Sequence, residues 1–497
     1  MRHKFWNELL LLASALLSGA GALAQYSAPA TPAPYNPIAL AGVTGAPRTA
    51  VQAGQSNFQS LSQNPYLGGV PWGKPSTTAV ALSLDDAVAF GLKQNLAGVL
   101  ASDEVADARG QRWQALSELL PNVVTDTGFG VHQVNVKAAF GLTIPGQPRI
   151  IGPFGYFDSR AYLTQSVLDW TSIERTRSSQ AQLRAAEFSS KDARELIVLV
   201  IVSNYLLVVA DQSEVESTTS QRDTAKALLQ QASDQQTAGL ASSVDVLRSQ
   251  VQLQSREQKV IVAQNNLAKQ KLVLARAIGI PPGQAFELTT PAPYKELTPS
   301  SLDDGIQDAY RDRADYQSEM NQVGAAELEK KAASAERYPS LGVEADYGLS
   351  GVNPGSSHGT VDAAATFRLP IFQGGRVHGD VLRADASLAR ERHRLEDLRA
   401  RIDQEVRDAY LDLDTASKEV SVEQSAVTLA TRNLEQSRDR FVSGVTDNIE
   451  VVQAQDALAI ASDAYIASLY SYNLSKISLA RSTGVAESRF AEYLEAK

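Results

Sequence analysis

The sequence predicts a mainly α-helical chain with membrane-type β-strands, built as a duplicated strand-strand-long-helical-hairpin unit. Three observations predict it: a repeat held in nearly fixed register, two long stretches without helix breakers, and four strands whose apolar and polar positions alternate. The elements follow in chain order.

Residues 1–24 read as a signal peptide. Arg2 and Lys4 precede an apolar run from Leu9 to Leu17, and Ala22-Leu23-Ala24 places cleavage before Gln25. With no cysteine, an exported chain has neither a disulfide framework nor a cysteine for a lipid anchor. The formal net charge is −10 with no basic block, which argues against nucleic acid as a partner. Residues 25–82 hold eight of the 20 prolines and only two charged residues, Arg48 and Lys74, so an extended or disordered arm is expected there.

Ser83-Leu84-Asp85-Asp86 opens a helical stretch ending at Leu120-Pro121, and Ser301-Leu302-Asp303-Asp304 opens another ending at Tyr338-Pro339, 218 positions on. A strand-like alternation follows each proline. Val123, Thr125, Thr127, Phe129 and Val131 share one face in the first copy, and Leu341, Val343, Ala345, Tyr347 and Leu349 in the second. Return strands match as Ala161, Leu163 and Val167 against Ala365, Phe367 and Ile371, at an offset of 204. Tyr205 then matches Tyr410, Gly239 matches Gly444, and Gly279 matches Gly484, all at 205. The repeats are bounded as 83–280 and 301–486, with a linker at 281–300 and a tail at 487–497.

No proline occurs between Pro153 and Pro281, and the second copy lacks glycine from Asp380 to Ser443. Helices from about Ser172 to Ala238 and from Arg376 to Val442 would each be roughly 100 Å long. Each turns at a lone glycine and returns through about 35 to 40 residues. Such helices must pack side by side, and Leu247, Val251, Val260 and Leu267 are expected on one seam. No stretch after the leader reaches the length of a transmembrane helix. The nearest, Leu196–Ala210, is read as a buried segment because its repeat partner, Arg401–Ser417, is highly charged.

Each copy thus gives two strands of about ten residues, the signature of an outer-membrane barrel with one face to lipid and one to a wet lumen. Four strands are too few to close a barrel, and an open edge in lipid leaves backbone groups unpaired. Other copies of the chain must close it: three give twelve strands, two give eight. A soluble coiled-coil scaffold in the periplasm is the alternative reading. Catalytic patterns are read as missing: no Gly-x-x-x-x-Gly-Lys loop, no His-Glu-x-x-His and no cysteine nucleophile are expected. His3, His132, His358, His378 and His393 have no metal-ligand spacing, so neither metal nor cofactor is expected.

The order of elements from about 83 to 486 resembles the TolC-like outer membrane efflux proteins. The tips carry the resemblance most specifically: Ala238-Gly239-Leu240 leading to Val244-Asp245-Val246-Leu247, and Ser443-Gly444-Val445 leading to Ile449-Glu450-Val451-Val452. The resemblance implies a homotrimer with a twelve-stranded barrel in the outer membrane and a helical tunnel through the periplasm. It also implies no catalysis, an inner-membrane pump and periplasmic adaptor as partners, and export of small molecules or, in a type I system, of protein. Gly239, Leu240, Gly444 and Val445 would contact the adaptor, and Asp245, Phe441, Thr446, Glu450 and Gln453 would form the entrance. Two departures bear on that entrance. Of the two positions that form an acidic ring in the family, Glu450 is acidic and Gln453 is not. Phe441 and Thr446 replace the tyrosine and arginine that lock onto the acid at Asp245, so that ion pair cannot form and a weaker or differently built gate is expected. Three copies of Glu450 around one axis would favour cations and raise one another's carboxylate pKa.

Overall fold

A computed structural model describes residues 64–494 except 77, 136–137, 139–149, 240–241, 291–294, 444 and 447. The expected leader, most of the arm and the site positions Leu240 and Gly444 therefore lie outside the described residues.

Ser83 starts the first helix with a reciprocal cap, its hydroxyl accepting from Asp86 N–H at 3.1 Å while the Asp86 carboxylate accepts from Ser83 N–H at 3.3 Å. Ser301 accepts from Asp304 N–H in the same way at 3.2 Å. Each expected helical stretch is in fact two helices. In the first copy α1 (Leu84–Gln94) and α2 (Leu96–Ser117) meet at Asn95. The break needs no proline: Asn95 turns to an extended backbone, caps Ala97 N–H at 3.0 Å, and donates to the carbonyls of Tyr66 at 2.7 Å and Ala277 at 3.0 Å. In the second copy α5 (Leu302–Asp312) and α6 (Ala314–Ala335) meet at Arg313, which reaches Ser482 O at 3.4 Å. Both breaks obey the repeat offsets, but a neutral amide does in one copy what a guanidinium does in the other.

The long helices are α3 (Trp170–Thr237) and α7 (Arg376–Val442), with return helices α4 (Ser243–Ala277) and α8 (Asn448–Ser482) and a short α9 (Ala486–Leu494). At 1.5 Å per residue the two long helices each run roughly 100 Å. By length and composition α3 could cross a membrane, contrary to the reading from sequence, but 56% of its apolar window is buried inside the protein. There Ile197, Val198, Ile201, Val202 and Tyr205 pack with Leu82, Val88, Leu274 and Ile278 in the main core. The expected α4 seam is also divided. Val260 is buried and Leu267 packs on the core, whereas Leu247 and Val251 are exposed. Nine residues separate Val251 from Val260, about half a turn out of phase.

Helices lie side by side: α2 and α4 pack on α3, α3 packs on α6 and α8, and both of these pack on α7. The row therefore ends in α2 and α4 at one edge and α7 at the other. Beside it a short parallel pair, β1 (Val80–Leu82) with β4 (Phe286–Leu288), ties the arm to the linker.

The sheet has the order β2-β3-β5-β6, all antiparallel, from β2 (Asn122–Asn135), β3 (Ile150–Leu168), β5 (Ser340–Gly351) and β6 (His358–Arg368). The repeat sets the register: Val123 pairs with Leu163 as Leu341 pairs with Phe367. At 14, 19, 12 and 11 residues the strands exceed the expected ten, because β2 and β3 continue into a ribbon beyond their overlap with β5. Ile371 falls outside β6, since Pro370 cannot continue the ladder.

Candidate functional site

The two hairpin tips hold every residue that the sequence marks for an entrance. At the first, α3 ends at Thr237 and Gly239 adopts φ +75°, the left-handed conformation that a reversing chain requires there. Ser242 then caps α4. Asp245 spends its carboxylate locally: it accepts from Ser242 N–H at 3.2 Å and from the Ser242 hydroxyl at 2.7 Å, and pairs with Arg248 at 3.6 Å.

At the second tip α7 ends at Val442, and Val445 N–H returns to Arg440 O at 2.9 Å. Phe441 is buried with Leu228 of α3, Leu434, Val451 and Ala454, so its ring anchors the second hairpin to the first. Glu450, on the first turn of α8, is held by its own hairpin. Thr446 donates to one carboxylate oxygen at 2.5 Å, and the other lies 3.4 Å from the Ser437 hydroxyl and 3.5 Å from Arg440 Nε. Gln453 is exposed and Val445 is 69% exposed.

The fold thus brings Thr446 and Glu450 together, keeps Phe441 as an apolar anchor, and leaves Asp245 bonded to neither Phe441 nor Thr446 through its side chain. It adds residues that the tip pattern did not reveal. Asn448, 1% exposed, donates to Ser249 Oγ at 2.7 Å and to Asp245 O at 3.3 Å, linking the tips. Arg440 sets a positive charge 3.5 Å from Glu450. Its spacing of ten residues across a turn gives no local signal.

Residues 305–485 match the family model described as "Outer membrane efflux protein". The pyoverdine export outer membrane protein OpmQ of Pseudomonas aeruginosa is 24% identical over 305 residues, 58% of this chain and 61% of OpmQ. The alkaline protease secretion protein AprF of the same organism is 22% identical over 407 residues, covering 78% of this chain and 83% of AprF. The outer membrane channel CmeC of Campylobacter jejuni superposes with a TM-score of 0.71 at 18% identity, over 87% of this chain and 96% of that one. These comparisons make the chain similar to the TolC-like outer membrane efflux proteins. The family model spans only the second repeat, but the likeness in fold to CmeC takes in both.

One expectation from the sequence is corrected here: a Gly-x-x-x-x-Gly-Lys stretch is present. Gly68 to Lys74 spells Gly-x-x-x-x-Gly-Lys, yet Pro75 follows and no helix begins there. Two of its backbone donors are already used, Val70 N–H by Gln94 O at 2.8 Å and Trp72 N–H by Gly279 O at 3.1 Å, so neither is free to cradle a phosphate.

Proposed function

We propose that three copies of this chain close into an outer-membrane exit duct, which takes substrates from an inner-membrane pump through a periplasmic adaptor. The observation that carries this reading is that sheet and helix row are both left open at matching edges. β2 and β6 present unpaired backbone on the two sides of the four-stranded sheet. In hydrocarbon each unsatisfied group costs several kcal/mol, so joining β6 of one copy to β2 of the next is strongly favoured.

The faces support a bilayer. Val123, Phe129, Leu163, Tyr347, Val361 and Phe367 lie on one side, and Asp126, Asp158, Arg160, Asp346 and Asp362 on the other. Arg160 pairs with both Asp158 and Asp346, which joins β3 to β5 on the polar face. Eleven residues of β6 span roughly 36 Å, or about 25 Å at a 45° tilt, the height of an outer-membrane apolar band. A periplasmic scaffold would leave that apolar face in water.

The helix edges fit one another in the same sense. Exposed Val244, Val251, Val262 and Val273 on α4 recur at steps of 7 and 11, as do Leu411, Val422 and Leu429 on α7. Both steps return to one side of a helix, giving each edge an apolar stripe for the next protomer. We assign the entrance to Asp245, Phe441, Thr446, Glu450 and Gln453, and adaptor contact to Gly239, Leu240, Gly444 and Val445. Exposed Val244, Leu247, Val445 and Ile449 at the tips favour such contact. Cargo passes by diffusion along a polar wall, and no catalytic step is assigned to the chain.

Detergent extracts of outer-membrane fractions test the proposal. The expected result is a heat-modifiable oligomer that forms pores in planar bilayers, whereas a soluble periplasmic monomer would overturn it.

A further inference from the structure

The two hairpins of one chain are joined above their tips by residues outside the tip motifs. Arg256 lies on α4, eleven residues or about 16 Å beyond Asp245. Its side chain is only 3% exposed and crosses α3, where Nη1 donates to Gln221 Oε1 at 3.0 Å. Nη2 is ion-paired with Asp456 of α8. Gln252 on α4 donates to the same Asp456 oxygen at 2.9 Å. Two turns nearer the tip, Asn448 of α8 is bonded to Ser249 of α4.

We propose that this ladder, Arg256 to Asp456 above and Asn448 to Ser249 below, is the clasp that holds the entrance closed in this chain. It replaces a lock between Asp245 and the second tip, and it rests on the reading of the chain as an exit duct. A contact biases a gate only if it differs between the two states. The carboxylates of Glu450 and Asp245 fail that condition, because each is satisfied within its own hairpin and travels with it. Arg256 meets it. Helices α4 and α8 have little direct packing, and among the described residues the Arg256–Asp456 pair is the one ion pair joining them. Moving the second hairpin away from the first would strip Arg256 of its carboxylate while its guanidinium stays enclosed between α3 and α4. An enclosed charge without its partner is strongly disfavoured, so the pair pulls the equilibrium toward the closed arrangement.

Resting conductance of purified oligomers in planar bilayers tests the clasp. Arg256→Gln and Asp456→Asn are each expected to raise it about fivefold or more, a shift of the closed-to-open ratio. The charge-reversed pair, Arg256→Asp with Asp456→Arg, should return it to within about twofold of the unaltered protein. Lys418→Gln, which breaks a surface pair with Asp414 on α7, serves as the control. Unchanged conductance in Asp456→Asn, or a reversed pair as open as the single variants, overturns the clasp while leaving the duct intact. Failure of the unaltered protein and of every variant to conduct overturns the duct reading and the clasp with it.

Discussion

Lys476 of α8 is fully enclosed, donates to the Lys295 carbonyl at 3.1 Å and lies 4.8 Å from the centre of the Tyr472 ring. Burial, helped by neighbouring Lys295, pushes its ammonium down to about 8. The folded chain therefore binds its proton less tightly than the unfolded chain, and stability rises as pH climbs from about 8 toward the ordinary lysine value. Lys476→Met should abolish that rise and stabilise the protein at pH 7 by at most about 3 kcal/mol, read as melting temperature against pH. Arg313 is the opposite case. Burial alone would push Asp315 up, but the hydrogen bonds and charge of Arg313 hold it below the usual carboxylate range. Arg313 also pairs with Glu405 at 2.6 Å. Arg313→Leu should cost about 3–5 kcal/mol at pH 7 by leaving these acids without their cation. That cost should shrink as pH falls below about 4 and Asp315 protonates, which thermal melts at pH 7 and pH 3 would check. None of these partnerships was legible in the sequence. The tip motifs pointed to Asp245 and Glu450 as candidates, but Arg440, Asn448 and Arg256 meet their partners only after two helices reverse and lie together.

At the scale of elements, residue order was far more informative. The run without glycine from Asp380 to Ser443 ends within a residue of the end of α7, while its start falls four residues inside the helix, which takes Gly379 into its first turn. Residues matched by the repeat also hold equivalent places in the sheet, Val123 facing Leu163 as Leu341 faces Phe367. Less legible were the breaks at Asn95 and Arg313, which depend on carbonyls about 170 to 180 residues away rather than on a local proline. The seam of α4 is split because Val251 lies about half a turn around the helix from Val260, a phase that apolar character alone does not show. The sheet offers a test at this scale. Val361 is exposed near the middle of β6 and pairs with Tyr347 on the apolar side, while Asp362 lies on the other. Val361→Lys should cost about 2–4 kcal/mol in bilayer stability and reduce the yield of heat-modifiable oligomer, with Asp362→Lys close to neutral. Equal losses from both substitutions would contradict the assignment of faces.

For the whole molecule, the two copies share a scaffold and differ in how it is fastened. An amide at Asn95 becomes a charged node at Arg313, and the first tip is capped by Ser242 while the second holds Glu450 through Thr446 and Arg440. Such differences leave the shared order of strands and helices intact while giving each hairpin its own fastenings. Both open edges, in the sheet and in the helix row, require neighbours of the same kind, so stability of the assembly should depend on all seams together. The most direct measurement is the number of chains in the particle extracted from outer membranes, counted by native mass spectrometry in detergent. Three copies per particle is the predicted result; a stable monomer or a closed dimer of eight strands would contradict it.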